Sequence, residues 1–316
     1  AFASPAQLRR NARPAPMLAA ALTTFFFSLS VIFGARSARL VGAQVANLGR
    51  ITLATILLGI WAHVFGAGVG GPGLWWFFLS GVIGFGLGDM ALFGALPRIG
   101  PRLSILLTQC LAAPIAAVAE WLWLGTTLRP VDLACAAIIL SGVAIALAPD
   151  RGSAIPRRVF WIGVLFGVGS ALGQALGAVV SRKANAIGAL ANFSVDGGTA
   201  AYQRALGGVL LTWAAALLFR FRADKDAAPP PPDWRKGWPF VVANALAGPT
   251  IGVGCYQWAL RTTPSGIVLP IVGISPLVTI LLAWWIDRVR PTRRAVLGGL
   301  LAVVGAVALK LVQMPK

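Results

Sequence analysis

Ala95-Leu96-Pro97-Arg98 ends one apolar run, and Ala259-Leu260-Arg261-Thr262 ends another. The same order follows each: a turn, an apolar helix, a second turn and a last helix. Arg129 and Arg293 fall at matching places in the second turns. The last helices read Leu140-Ser141-Gly142-Val143-Ala144 and Val304-Gly305-Ala306-Val307-Ala308, with a slip of one residue. Upstream, Leu48-Gly49-Arg50-Ile51 matches Tyr202-Gln203-Arg204-Ala205, each Arg opening an apolar helix. A repeat of five helices is odd in number, so its second copy enters a bilayer upside down relative to the first. Inverted repeats of this kind place a solute site near the midplane, between the halves.

The composition agrees. The 316 residues are 58% hydrophobic and only 11% charged, with a mean hydropathy of +0.80. A soluble domain carries about 25% charged residues. The charged set is lopsided, 27 Lys and Arg against 9 Asp and Glu, for a net charge of +18. So much apolar surface excludes a nucleic-acid binder. The basic excess instead suits loops and helix ends that face anionic lipid headgroups. Cys110, Cys135 and Cys255 are scattered through apolar runs and form neither a disulfide framework nor a metal cluster. His63 is the one histidine, so no metal site and no cofactor are expected. Arg9, Arg10 and Arg13 read as a basic flank to a first span rather than as part of a cleaved signal peptide.

A spanning helix needs roughly 20 apolar residues. Breaks at charge, Pro and Gly clusters give ten such helices, near 17–35, 44–62, 74–96, 103–124, 131–148, 160–181, 198–219, 239–260, 264–286 and 294–312. The predicted fold is an all-α integral membrane protein with ten transmembrane helices, arranged as two inverted five-helix repeats around a central cavity. The repeats are 17–148 and 160–312, with short tails at 1–16 and 313–316. Pro229-Pro230-Pro231-Pro232 marks a semi-rigid spacer in the longest polar connection.

Gly88-Asp89-Met90-Ala91-Leu92-Phe93-Gly94-Ala95-Leu96, then Ile99-Gly100 and Ser104 to Leu107, resembles the third and fourth helices of EamA-type transporters, in the drug/metabolite transporter superfamily. Glu120 to Gly125, Leu140-Ser141-Gly142, Tyr256-Gln257-Trp258-Ala259-Leu260 and Ser275-Pro276-Leu277 fit the same pattern. The resemblance spans 17–312 and implies a carrier of small solutes. One departure is Thr126 after Gly125, where the family often has Glu.

Ionisable groups inside a bilayer are costly and mark function by default. Arg50, Asp89, Glu120 and Arg204 are those groups here. Asp89 lies about 12 Å of helix before Pro97, and Gln109 lies about 10 Å beyond Arg102, so with Arg50 they share a level. Glu120 approaches the opposite face, near the level of Gln174 and Arg204. The expected site is a polar layer of Asp89, Gln109 and Arg50, with an inverted counterpart of Gln174, Arg204 and Tyr256 or Gln257. Asp89 and Glu120 are the candidates for proton or ion coupling, and Trp258 for a substrate contact. The alternative is that Asp89 and Arg50 are a buried pair fixing helix packing, with Arg204 snorkelling to the headgroups. Gly84 and Gly88, Gly169 and Gly173, and Gly248 and Gly252 repeat a GxxxG spacing that lets helices approach. Pro114, Pro249, Pro270 and Pro276 sit inside spans, where they kink helices and free carbonyls.

No GxxxxGK[ST] stretch supports ATP use, and no HExxH or Ser-plus-His arrangement supports proteolysis. The expected activity is secondary export of a small metabolite, amino acid or drug-like solute across a bacterial inner membrane, by a monomer or homodimer. The rival is a scaffold or lipid-binding membrane protein. Lys and Arg concentrate on the face joining helices 1–2, 3–4, 5–6, 7–8 and 9–10, which the positive-inside rule places in the cytoplasm. The resemblance implies cytoplasmic termini instead.

Overall fold

A computed structural model describes residues 15–147, 156–220, 233–287 and 292–313. Their regular structure is entirely helical, with no strand among the described residues. In chain order the helices are α1 (Ala15–Val41), α2 (Ala43–Phe65), α3 (Leu74–Gly81), α4 (Asp89–Leu124), α5 (Pro130–Leu147), α6 (Arg157–Leu190), α7 (Gly197–Arg220), α8 (Trp234–Ala245), α9 (Val253–Thr262), α10 (Ser265–Val272), α11 (Ser275–Asp287) and α12 (Arg293–Gln313). Two π-helical segments, Val82–Gly88 and Leu246–Gly252, join α3 to α4 and α8 to α9.

Among the described residues, seven helical stretches are long and apolar enough to cross a bilayer: Pro16–Val41, Gln44–Phe65, Leu74–Leu92, Leu103–Leu124, Arg157–Leu190, Trp234–Thr262 and Ser265–Leu282. The chain is therefore a multi-pass integral membrane protein. Large side chains such as Leu122, Trp75, Leu165 and Trp285 point outward, as lipid contact requires. The interior is built from small residues, including Ala112, Ala116, Ala171, Ala175, Ala178 and Ala302. Without water to drive helices together, close backbone approach takes over. At Gly142 and Gly298, α5 and α12 meet so tightly that a methyl on either would strike the other's backbone.

Helix boundaries differ from the sequence reading by a few residues at several ends, as at Trp234 and Phe65, and four differences bear on the architecture. The basic cluster Arg36 to Arg39 does not end α1, which runs on to Val41; the break falls at Gly42, whose φ of 84° suits glycine. The Pro97–Arg102 stretch, predicted as a loop, keeps helical backbone within a 36-residue element. Its neighbours nevertheless show the chain doubling back. Gly94 meets Phe166 and Ile99 meets Gly163, but Leu107 meets Gly167, Gln109 bonds Gln174 and Arg182 bonds Glu120. A straight rod cannot descend and then ascend α6, so the direction reverses between Ile99 and Leu107.

The third difference is α6, which continues to Leu190 instead of stopping at 181, because Ser181, Ala184 and Gly188 keep a buried face. The fourth is the predicted helix 264–286, which breaks between Val272 and Ser275 at Gly273. Two α1 hydroxyls bond carbonyls at this break: Thr24 Oγ1 donates to Ile271 O at 3.0 Å and Ser28 Oγ to Ser275 O at 2.8 Å. The tails, the 149–155 break and the proline spacer lie outside the described residues.

The π segments fall at the same offset that relates Ala95 to Ala259: Val82 matches Leu246, Gly88 matches Gly252 and Asp89 matches Val253. A π turn widens a helix and rotates the residues beyond it about the axis. Its recurrence at one place in both halves marks a shared structural element.

Candidate functional site

A cavity of about 370 Å³ opens between the halves, at the small end of ordinary ligand pockets. Its walls come from matched positions: Gly84 with Gly248, Phe85 with Pro249, Asp89 with Val253, Leu92 with Tyr256, and Arg50 with Arg204. Phe27, Ser30 and Val31 of α1 and Ser170 and Gln174 of α6 close two sides; Gly88, Ile105, Thr108, Gln109, Ser275, Pro276 and Thr279 complete it. The π segments present glycines here, and the α-helical residues beyond them turn Asp89 and Tyr256 to the lumen.

Arg50 Nη2 lies 3.1 Å from Asp89 Oδ2, and Arg50 Nε donates to Asn47 Oδ1 at 2.8 Å. Both side chains of the ion pair stay partly exposed, at 21% and 28%. Gln174 Nε2 donates to Gln109 Oε1 at 3.1 Å. The two glutamines thus share one site, whereas depth counting sets them in separate layers. Ser30 Oγ donates to Asn244 Oδ1 at 2.6 Å behind the wall.

Arg204 does not snorkel. It is buried, with its guanidinium carbon 5.0 Å from the centre of Phe85 and 5.8 Å from that of Tyr256. A Cβ at Gly84 would strike its Nη2, so the glycine there makes room for the guanidinium. Ser80, Ser181 and Gly177 O form a buried hydrogen-bonded cluster that Arg204 Nη1 joins at 3.4 Å from Ser181 Oγ.

Other predicted residues lie elsewhere. Glu120 is buried outside the cavity. Arg182 Nε donates to its Oε1 at 3.0 Å, the Ser265 amide to Oε2 at 2.7 Å, and the Ser265 hydroxyl to the same oxygen. Arg182 also donates to Leu260 O at 3.0 Å. Gln257 is buried beside the cavity wall without lining it, and Trp258 is partly exposed against Gly197. Gly173 packs on the Gly88 backbone, Gly252 on the Phe27 ring and Gly169 near Ala91, as helix contacts. Pro114 is exposed on the outer side of α4, whereas Pro276 lines the cavity. Phe85, Ser170 and Thr108 escape the sequence reading. For Phe85 a signal exists, since it matches Pro249 at the repeat offset.

The model of the EamA-like transporter family matches residues 15–148 and again 161–311, once in each half. The chain belongs to the EamA-like transporter family. The fold of this family member is shared with a solved structure titled only as the crystal structure of a protein. The two align with a TM-score of 0.73 and 19% identity over 95% of this chain and 98% of that one. No curated protein matches the chain.

Proposed function

We propose that this EamA-family protein is a secondary transporter that moves a small organic solute outward by alternating access through the central cavity. Ten spans, as two inverted five-helix repeats covering 17–148 and 160–312, accommodate the chain reversal between Ile99 and Leu107 and the break at Gly273. The observation that carries the reading is the cavity's origin: matched residues of two homologous halves line a single lumen. Each half can rock against the other about such a site. Asp89 is the candidate coupling group, because its carboxylate faces the lumen. Glu120, Arg182 and Ser265 tie α4 to α6 and α10 away from the lumen, and the reading makes them a clamp between halves.

The test is solute counterflow in proteoliposomes with organic acids, amines, amino acids, nucleobases and cationic dyes. Exchange of at least one class above protein-free liposomes is expected. No exchange for any class, with correctly folded protein, favours a scaffold instead.

A further inference from the structure

We infer that the cavity recognises the carboxylate of a small organic monoanion, and that Arg204 is the residue that holds it. This deepens the transport reading and rests on it for purpose. The two halves differ at one matched place. In the first, Arg50 of α2 donates to Asp89, the residue directly after the π segment. In the second, Arg204 of α7 stands in the matching place and the matching π segment precedes Val253. A seat that holds an acid in one half is aliphatic in the other.

Arg204 is nonetheless built into the wall. It is 5% exposed, its Nε has no hydrogen-bond partner, and no carboxylate lies within ion-pair reach among the described residues. The buried Tyr256 hydroxyl beside it has no partner either. An arginine keeps its proton, and a buried cation is costly unless an anion meets it. The Phe85 and Tyr256 rings offset part of that cost. A ligand carboxylate would accept from the guanidinium fork and from the Tyr256 hydroxyl. The charged lining residues are Arg50, Asp89 and Arg204, which leaves one positive charge for one negative ligand. Apolar walls such as Leu92 and Ile105 suit a compact hydrocarbon body on the same molecule.

The experiment titrates the purified full chain in lipid-free detergent with matched probes, reading affinity by calorimetry. The probes are phenylacetate, phenylacetamide and phenethylamine, and hexanoate, hexanamide and hexylamine. At least one carboxylate is expected to bind roughly tenfold or more tighter than its amide and amine. Arg204→Gln removes the cation, and Val253→Asp supplies an internal acid where the other half has Asp89. Both variants should reduce the preference to about twofold or less. Should Arg204→Gln fail to fold, the wild-type probe pairs and Val253→Asp decide. Amides or amines binding as well as the acids, no acid binding at all, or a preference that survives in either variant overturns the inference. Binding is read without flux. Acid binding with no counterflow removes the transport reading and leaves this inference standing; counterflow indifferent to the solute's charge does the reverse.

Discussion

Two ion pairs of nearly equal length sit in different surroundings. Arg50 meets Asp89 at 3.1 Å and Arg182 meets Glu120 at 3.0 Å. The first faces the lumen and leaves carboxylate acceptor capacity unused. The second is sealed, with Glu120 only 2% exposed, and its oxygens are filled by Arg182 and Ser265. Distance alone does not separate a working group from a structural one. Satisfaction does: a carboxylate whose bonds are complete has nothing to offer a solute.

Glu120→Gln has the largest expected effect. It leaves the partly buried Arg182 without its anion and the buried Ser265 amide without its charged acceptor, and a loss of about 3 kcal/mol is expected in an unfolding titration. A loss near that of an exposed pair, below roughly 1 kcal/mol, would reduce the clamp to a surface contact. Gly84→Leu comes next. Its side chain needs the space of the Arg204 guanidinium, so about 1–3 kcal/mol of overpacking strain is expected, together with loss of most counterflow. Flux at the wild-type rate would show that the lumen beside Arg204 is not on the route.

Smaller effects are expected outside the cavity lining. Asp196 precedes α7; burial raises its carboxyl, but bonds from Thr199, Trp61 and Gly198 outweigh that and hold it below the usual carboxylate range. Its stabilisation is therefore present at neutral pH and lost as pH falls below about 4. A melting temperature that declines toward pH 3 less in Asp196→Asn than in wild type is expected. Trp258→Phe should change stability by about 0.5 kcal/mol or less and leave flux unchanged. A clear loss of flux would bring Trp258 into the pathway after all.

The spans and the repeat are legible because hydrophobic length and a recurring order survive without knowledge of packing. Rotation about each helix is not, since lipid makes outward faces as apolar as inward ones. Glu120 illustrates this. Its place near a helix end suggests the interface, but the sequence puts its partner Arg182 at a loop, and only the packed face of Ser181, Ala184 and Gly188 carries α6 past it. Depth counting fails for Gln109 and Gln174 because it ends the sixth helix at 181; α6 runs from Arg157 to Leu190, which puts Gln174 near its middle, level with Gln109. Arg50 and Asp89, counted to the same level, do meet, at 3.1 Å.

In the proposed transport cycle the lumen between the halves carries the solute and Asp89 acts within it. Counterflow by Asp89→Asn in proteoliposomes, beside wild type and with melting measured on the same preparations, tests it most directly. Flux at the level of protein-free liposomes, with stability within about 1 kcal/mol of wild type, is the expected result. Flux equal to wild type would contradict it.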